Sequence, residues 1–366
     1  MQRAKKTLGA IFLAAALSAI HPAGAQPPPS VWETYHDYER LTAELAELSQ
    51  THPHLFVYES IGSSEQDRDI WMVTITNRSL PPDRPEVFFD GAMHGSEVIA
   101  SESMLYYVRF LVTQYDSDPI ARQIVDNWIT YVVPMVNPDG VERAKDSRDY
   151  RLARKNANRV DLNRNFDWIW TAECGPGCSA PCAPTCWEYP GPFAFSERES
   201  GIIRDQVANR RVLLYFSGHA GLSFEQLIRP GVFDDPAERQ RHILVQCNVE
   251  QLAPEFRPTS GNQAGAAKNW AYGVPMAELR AEGLHPLAFN LEIYSIPAIE
   301  PGSLNPYWWC RYNPPATLDD EVAAWCIEGT GQAPTDTVAS RLEKVRTALV
   351  FITQSTVTDP PPCPAK

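Results

Sequence analysis

Short apolar segments that end in turn-forming residues alternate with longer segments of helical spacing along most of this 366-residue chain. Residues 70–76, 87–89 and 128–136 have the composition of strands, and residues 98–112 have the length and apolar spacing of a helix. The order strand, helix, strand is typical of an α/β fold. A hydrophobic content of 44% is enough for a substantial core, which excludes a disordered chain.

The same alternation continues to the last part of the chain. Residues 38–49 predict an amphipathic helix that opens the domain. Further predicted elements are a helix capped by Ser196 and Glu199 that ends near residue 209, strands at residues 211–216 and 287–293, a helix beginning at Asp235-Pro236, and a last helix at about residues 335–353. No linker divides the chain, so we predict one domain over residues 26–353. It contains insertions near residues 171–195 and 296–334, and a proline-rich tail follows over residues 354–366.

The N-terminus has the three parts of a secretory signal peptide. The cations Arg3, Lys5 and Lys6 precede the uncharged run of residues 8–20, and Ala23-Gly24-Ala25 supplies small residues for cleavage. The run is too short to cross roughly 30 Å of hydrocarbon, and no later segment approaches the length that a spanning helix needs. We predict cleavage after Ala25 and a secreted or periplasmic protein without a membrane span.

The eight cysteines of an exported chain predict disulfide bonds, because thiols are not kept reduced outside the cytosol. At least one local bridge is expected within the cluster of Cys174, Cys178, Cys182 and Cys186, and Cys310 with Cys326 has the spacing of a second closed loop. A structural zinc ion is the alternative for the cluster. The wide spacing of its cysteines and its intervening prolines are less typical of zinc, so we favour disulfides.

Polar side chains lie where three of the predicted strands end. His94 and Glu97 fall in the turn between the second predicted strand and the helix that follows it. His219 and Glu292 lie at the ends of two other predicted strands. In open α/β sheets, ligands bind in the crevice at the carboxyl ends of strands, so this arrangement favours a shared site.

Two histidines and one glutamate form the three-ligand set of a catalytic zinc ion, which leaves a coordination position for water. The metal lowers the pKa of that water, and a second carboxylate can take its proton and pass it to a leaving nitrogen. The residues therefore predict a hydrolase in which one Zn²⁺ ion is bound by His94, Glu97 and His219, with Glu292 as the base. The spacing of His94 and Glu97 alone occurs often by chance, so the prediction depends on further motifs.

Further motifs occur in the order of one known family. They are Gly62-Ser63-Ser64 with Arg68 and Ile70, His94 to Glu97, Asn137-Pro138-Asp139-Gly140, His219, Asn269-Trp270-Ala271-Tyr272 and Glu292. With these motifs, residues 38–353 resemble the zinc metallocarboxypeptidases, the carboxypeptidase A and B-like peptidases. The resemblance implies a single α/β domain with a central mixed, mostly parallel twisted sheet flanked by helices. It also implies hydrolysis of the C-terminal peptide bond of peptides or proteins.

Two more segments resemble the substrate-binding residues of the family. Residues 150–156 match the segment whose arginine polarises the scissile carbonyl, which implies that role for Arg154. Asn163 and Arg164 match the pair that holds the terminal carboxylate of the substrate, a task that suits an amide and a planar guanidinium. Asp161 matches the residue that orients the first zinc histidine. The alternative for Arg154 is an ordinary solvated charge, and the alternative for Asp161 is a turn aspartate.

The chain departs from the family pattern in the segment that closes over the substrate. Gly261 stands where the family has a mobile tyrosine, and Ser96 stands where the digestive members have an arginine. The alignment places Lys268 at the base of the pocket for the C-terminal side chain, which predicts a preference for C-terminal Glu or Asp. A solvated surface lysine is the alternative.

Three functions remain open. The first is a secreted zinc carboxypeptidase that acts as a monomer on peptide or protein C-termini. The second keeps the metal and Glu292 but hydrolyses peptidoglycan stem peptides or a related amide, which the missing tyrosine favours. The third is a zinc-binding protein without turnover, against which Glu292 argues. Nucleic acid is not expected as a partner, because the formal net charge is −13.

Overall fold

A computed structural model describes residues 35–146, 150–173, 182–220, 225–293 and 338–363 of the chain. The predictions that fall outside these residues are the signal peptide at residues 1–25, the insertion at residues 296–334, and the bridges that involve Cys174, Cys178, Cys310 and Cys326. They stay predictions.

The described residues form helices and strands that alternate along the chain. The helices are α1 (Tyr38–Thr51), α2 (Val98–Thr113), α3 (Pro119–Asn127), α4 (Pro138–Asp146), α5 (Tyr150–Arg154), α6 (Arg198–Ala208), α7 (Pro236–Leu252), α8 (Ala267–Gly273), α9 (Pro275–Ala281) and α10 (Val338–Gln354), with a 3-10 turn at Leu162–Arg164. The strands are β1 (Phe56–Ser63), β2 (Asp69–Ile75), β3 (Glu86–Asp90), β4 (Ile129–Val133), β5 (Val212–His219), β6 (Gln226–Pro230), β7 (Arg257–Gly261) and β8 (Leu287–Glu292).

The described strands form one eight-stranded sheet in the order β1-β2-β4-β3-β5-β8-β6-β7. The pairs β4 with β3, β3 with β5, β5 with β8, and β6 with β7 are parallel, and the other pairs are antiparallel. Nearly every residue of β3, β5 and β8 is buried, as expected for central strands that helices cover on both faces. The predicted fold class, a mixed and mostly parallel sheet flanked by helices, is confirmed.

Two of the helices begin as the sequence predicts. The Asp37 side chain accepts a hydrogen bond from a backbone N–H in the first turn of α1, and this helix buries the face that carries Leu41, Leu45 and Leu48. Asp235 caps α7 in the same way, and the following proline occupies the first helical position. In the described part of the chain, no helix has both the length and the apolar character needed to cross a membrane.

The predicted capping box at Ser196 and Glu199 is wrong. Glu197 is the N-cap of α6, and the Ser196 hydroxyl donates to the carboxylate of Glu197 (2.6 Å). Glu199 instead accepts hydrogen bonds from the side chain of Asn156 (3.1 Å) and from the backbone N–H of Glu65 (3.3 Å). Its carboxylate therefore joins α6 to the connection between β1 and β2 and does not cap its own helix.

The motif at residues 137–140 was expected to be a turn and instead opens α4. Asn137 Oδ1 accepts a hydrogen bond from a backbone N–H of the first turn (2.8 Å), which explains the asparagine. Asp139 accepts hydrogen bonds from the Ser64 hydroxyl (2.8 Å) and from the Arg68 guanidinium (2.7 Å). Two of the motifs that carry the family resemblance are therefore hydrogen-bonded to each other.

Cys247 of α7 forms a disulfide bond with Cys363, which follows α10. This pair is not among the bridges predicted from the sequence. Because the bond closes a loop with a sequence separation of 116 residues, it restricts the unfolded chain strongly. Chain-entropy arguments give a stabilisation of about 4–5 kcal/mol for a loop of this length.

Candidate active site

The ends of three neighbouring strands carry the candidate site. In the sheet, β5 lies between β3 and β8 and is parallel to both. Asp90 of β3 is paired with Ser217 of β5, and His219 at the end of β5 is paired with Glu292 at the end of β8. Paired residues of neighbouring strands project from the same face of a sheet, so His219 and Glu292 lie side by side. The strand ends therefore meet, as expected from the sequence.

The loop from β3 to α2 brings His94 and Glu97 to the same place. The loop packs against the start of α4: a Cβ on Gly95 would lie 2.1 Å from the carbonyl carbon of Gly140, so only glycine permits this approach. The backbone N–H of Gly95 also donates to the carbonyl of Arg154 (3.2 Å). Because α2 begins directly after Glu97, the glutamate is fixed at the end of a buried helix.

His94, Glu97 and His219 form a compact group of donor atoms, which we call the donor cluster. Nδ1 of His94 is 3.0 Å from Oε1 of Glu97, Nδ1 of His219 is 3.1 Å from Oε2 of Glu97, and the two Nδ1 atoms are 3.3 Å apart. All three side chains are buried, and their ligand atoms lie within 4.8 Å of one another. Two imidazole nitrogens and one carboxylate are a donor set of catalytic zinc sites, so these residues fit a zinc ion.

Asp161 lies on the side of His94 away from the donor cluster, and Arg154 contacts both Asp161 and Glu97. Nε2 of His94 lies 3.0 Å from Oδ1 of Asp161, which selects the tautomer whose Nδ1 lone pair faces the cluster. Nε of Arg154 donates to Oδ2 of Asp161 (3.0 Å), and the guanidinium also donates to Oε1 of Glu97 (3.2 Å). Arg154 is only 8% exposed and links the two carboxylates inside the protein.

These charges shift the pKa values of the carboxylates. Burial acts to raise the pKa of Glu97, but His94 and His219 outweigh it and hold that pKa far below its usual range. Burial also acts to raise the pKa of Asp161, and Arg154 and His94 lower it well below the ordinary value. Both groups are therefore ionised at neutral pH, as a cation site requires.

Glu292 shows the opposite shift. Burial, followed by the negative charge of Glu97, raises the pKa of Glu292 to about 7. The residue is 8% exposed, so it is buried beside the donor cluster and does not lie on the outer surface. A carboxylate with this affinity for a proton can accept and return one near neutral pH.

The predicted carboxylate-binding pair lies on the 3-10 turn next to the donor cluster. Oδ1 of Asn163 accepts a hydrogen bond from the backbone N–H of Ala267 (2.9 Å), so its amide nitrogen faces Nε2 of His219 at 3.3 Å. The Arg164 guanidinium donates to the carbonyl of Asn163 (2.8 Å) and to the carboxylate of Glu188. The structure therefore brings Asn163 and Arg164 to the site, with Glu188 as an ion-pair partner of Arg164.

Glu188 belongs to the first predicted insertion, and neighbouring residues of that insertion also contact the site. The ring of Trp187 lies 5.4 Å from the guanidinium carbon of Arg154. Lys155 donates from Nζ to the carbonyl of Pro184 (3.0 Å). This part of the insertion therefore packs against both arginines that the sequence assigns to the substrate.

Lys268 is fully buried, which excludes the alternative of a solvated surface lysine. Its Nζ donates to the carbonyl of Gly261 at the end of β7 (2.9 Å) and to Oδ1 of Asn269 (2.8 Å). Burial, and then the positive charge of Arg164, lowers the pKa of Lys268 to about 7. The positive charge of Arg164 therefore acts on the Lys268 ammonium.

Three residues around the site are not among those predicted from the sequence: Asp90, Ser217 and Glu188. The Ser217 hydroxyl donates to Asp90 (2.5 Å) and lies 3.1 Å from Nε2 of His219. The sequence signals are weak, because an aspartate before a glycine is typical of a turn and a serine in an apolar strand is common. Glu188 lies in a segment that matches no motif.

The fold and the donor cluster together define an α/β protein with a candidate zinc site at the carboxyl ends of its central strands. A family model described as zinc carboxypeptidase matches residues 41–228. The chain belongs to this zinc carboxypeptidase family.

Individual relatives are also named carboxypeptidases. A zinc carboxypeptidase of Saccharothrix mutabilis subsp. capreolus is 34% identical over 159 residues, which are 42% of this chain and 36% of that protein. Carboxypeptidase B of Astacus astacus is 33% identical over 205 residues, which are 52% of this chain and 63% of that protein. The chain thus spans less than two thirds of either relative. The crystal structure of carboxypeptidase A from Helicoverpa armigera has a TM-score of 0.59 at 21% identity, covers 87% of this chain and 74% of its own, and shows a shared fold.

Proposed function

We propose that this protein is a zinc-dependent metallocarboxypeptidase that hydrolyses the C-terminal peptide bond of peptides or proteins. The observation that carries the proposal is the convergence of His94, Glu97 and His219 on one point, with Glu292 paired to His219 in the next strand. Membership of the zinc carboxypeptidase family supports the same activity. The proposal includes one zinc ion per chain, a monomer, and a secreted or periplasmic location that the N-terminal sequence supports.

Zinc bound by the donor cluster would supply Lewis-acid chemistry, which polarises a carbonyl and lowers the pKa of a water molecule. Glu292 takes the proton of the attacking water and delivers it to the leaving nitrogen. Arg154 donates to the oxygen on which negative charge develops, and its bonds to Asp161 and Glu97 hold it in place. Asp161 keeps Nδ1 of His94 available for the metal, because it accepts the N–H of the other ring nitrogen.

Asn163 and Arg164 bind the terminal carboxylate of the substrate in this proposal. A planar guanidinium can hold a carboxylate through two parallel hydrogen bonds. Glu188 already accepts a hydrogen bond from the Arg164 guanidinium, so a substrate carboxylate and Glu188 compete for the same cation. This competition is expected to weaken the binding of the substrate carboxylate.

Lys268 sets a preference for acidic C-terminal residues in this proposal. Its ammonium is buried, and its acceptors among the described residues, the carbonyl of Gly261 and the side chain of Asn269, are both uncharged. A glutamate or aspartate side chain would supply the missing negative charge, whereas a lysine or arginine side chain would meet repulsion. The residue before Lys268, Ala267, donates its backbone N–H to Asn163, which supports a place for Lys268 beside the carboxylate anchor.

The preference for C-terminal glutamate over leucine is expected to fall as the pH rises above about 7. The pKa of Lys268 is lowered to about 7, so the ammonium loses its charge over that range. Loss of one charged hydrogen bond corresponds to about 10–100-fold in the ratio of kcat/KM for the two substrates. The measurement is kcat/KM for matched peptides that end in Glu or Leu, taken from pH 6 to pH 9.

Lys268→Met removes the charge while keeping the length of the side chain, so its preference is expected to be weak and independent of pH. Lys145→Met is the matched control, because Lys145 pairs with Asp37 on the surface. Unfolding gives a second check: between pH about 7 and 10.5 the unfolded chain keeps the lysine proton that the folded protein has lost. The stability of the wild type relative to Lys268→Met should therefore rise with pH over this window. Equal effects of Lys268→Met on both substrates would contradict the pocket assignment.

The proposed activity is tested with a panel of peptides whose products are identified by mass spectrometry. We expect removal of single residues from free C-termini, no cleavage of the same peptides with amidated C-termini, and loss of cleavage after chelation with recovery on addition of zinc. Peptidoglycan stem peptides complete the panel.

Two results would overturn this proposal. Cleavage of stem peptides without cleavage of ordinary C-termini would favour the peptidoglycan alternative, which Gly261 in place of a tyrosine supports. Zinc binding without turnover of any substrate would leave the non-catalytic alternative.

A further inference from the structure

Asp90 is a buried carboxylate that the proposed mechanism does not use. It is wholly inaccessible at the end of β3. The Ser217 hydroxyl donates to its Oδ1 atom (2.5 Å), and the Tyr215 hydroxyl donates to its Oδ2 atom (2.6 Å). Both carboxyl oxygens of Asp90 are therefore held by hydrogen bonds inside the protein, as a buried polar group requires.

The imidazole of His219 is joined to Asp90 through the Ser217 hydroxyl. Its Nδ1 atom faces the donor cluster, so a metal ligand role requires the proton to sit on Nε2. The Nε2 proton then needs an acceptor within the protein, because His219 is buried. Two polar atoms lie near Nε2: the amide nitrogen of Asn163 at 3.3 Å and the hydroxyl oxygen of Ser217 at 3.1 Å.

Only one of these two atoms can accept the proton. The Asn163 oxygen is committed to the backbone N–H of Ala267, which must have an acceptor, so the nitrogen of this amide faces His219 and can only donate. The Ser217 oxygen keeps a lone pair for His219 because its own proton is given to Asp90. The chain of hydrogen bonds therefore runs in one direction, from His219 through Ser217 to Asp90.

We propose that Asp90 and Ser217 are positioning residues that hold His219 in the tautomer and orientation of a zinc ligand. This inference rests on the proposed zinc site. It makes the two histidines of the donor cluster unequal: Asp161 contacts His94 directly and shares its charge with Arg154, whereas Asp90 acts on His219 through a hydroxyl. Among the described residues, the hydrogen-bond donors to Asp90 are hydroxyls and not cations.

The test is the zinc affinity of the full chain, measured by competition with a chelating dye after removal of metal. Ser217→Ala leaves the Nε2 proton without an acceptor and is expected to weaken zinc binding about 10–100-fold, the usual effect of losing a group that orients a metal ligand. Tyr215→Phe is the matched control. It removes the other hydroxyl bond to Asp90 but lies off the path to His219, so its zinc affinity should stay close to that of the wild type.

Two further variants keep the test decisive if Ser217→Ala folds poorly. Ser217→Thr retains the hydroxyl and should restore zinc affinity, and Asp90→Asn retains the acceptor oxygen without the charge and should give an intermediate loss. Nitrogen-15 NMR of the metal-free protein gives a separate readout, because the His219 ring should hold its proton on Nε2 in the wild type and lose this preference in Ser217→Ala. Thermal unfolding of the metal-free variants separates any general loss of stability from a specific loss of zinc affinity.

Unchanged zinc affinity in Ser217→Ala, or an equal loss in Tyr215→Phe, would overturn the inference. The variants His94→Ala and His219→Ala distinguish this failure from a failure of the proposed function. If these two bind zinc as the wild type does, the zinc site itself is wrong. If they lose zinc while Ser217→Ala retains it, only the role of Asp90 and Ser217 is wrong.

Discussion

Replacement of Glu292 by glutamine is expected to lower kcat by about 10²–10⁴-fold, because an amide cannot take a proton from water. Zinc should stay bound, since Glu292 is not a member of the donor cluster. The cleft should also tolerate the neutral side chain: burial and the charge of Glu97 already raise the pKa of Glu292 to about 7. KM should therefore change much less than kcat. The measurement is steady-state hydrolysis of a peptide substrate, with zinc content determined on the same sample.

Glu199 provides the matched control for this substitution. Burial raises the pKa of Glu199 to about 7 as well, but its carboxylate bonds to Asn156 and to the backbone of Glu65. We expect Glu199→Gln to keep the kcat of the wild type. Full activity in zinc-loaded Glu292→Gln would mean that another group accepts the proton. Equal losses in the two variants would mean that neutralising any buried glutamate harms the enzyme.

The central part of the fold could be predicted because its signals are local. Asp235 and the proline after it predict the start of α7. The central strands are short apolar runs with buried residues on both faces. The strands β1, β6 and β7 were not predicted. β1 and β7 lie at the edges of the sheet and leave most of their residues exposed or partly exposed, so they lack a clear apolar period. β6 is only five residues long and contains Arg229 and Pro230, so its apolar run is too short to stand out.

The donor cluster could be predicted because His219 ends β5, His94 and Glu97 follow the end of β3, and the ends of neighbouring parallel strands meet. The contacts that surround it could not. Glu188 reaches Arg164 across 24 residues of sequence, and Lys268 bonds to a backbone carbonyl that no side-chain pattern reveals. The disulfide between Cys247 and Cys363 likewise depends on how α7 and the end of the chain pack. Such pairs are properties of the folded arrangement and leave no local period in the sequence.

Replacement of Arg154 by alanine is expected to lower kcat by about 10²–10³-fold, because the developing oxyanion loses a fixed donor in a buried site. Zinc affinity should be retained or increased. The guanidinium now donates to Glu97 and Asp161, so its removal leaves more negative charge around the donor cluster. The measurements are single-turnover hydrolysis of a bound peptide and zinc affinity by chelator competition, since together they separate chemistry from metal loss.

Arg164→Ala is the contrasting variant, because the terminal carboxylate is bound equally in the ground state and in the transition state. Arg164→Ala should raise KM and leave kcat nearly unchanged, whereas Arg154→Ala should lower kcat and leave KM nearly unchanged. Arg154→Lys is expected to recover only part of the rate, since an ammonium cannot reach Asp161, Glu97 and the oxyanion with one rigid fork. A pure KM effect in Arg154→Ala would reassign Arg154 to the carboxylate anchor. Loss of zinc in that variant would instead make Arg154 a support of the donor cluster, because the charge argument predicts the opposite sign.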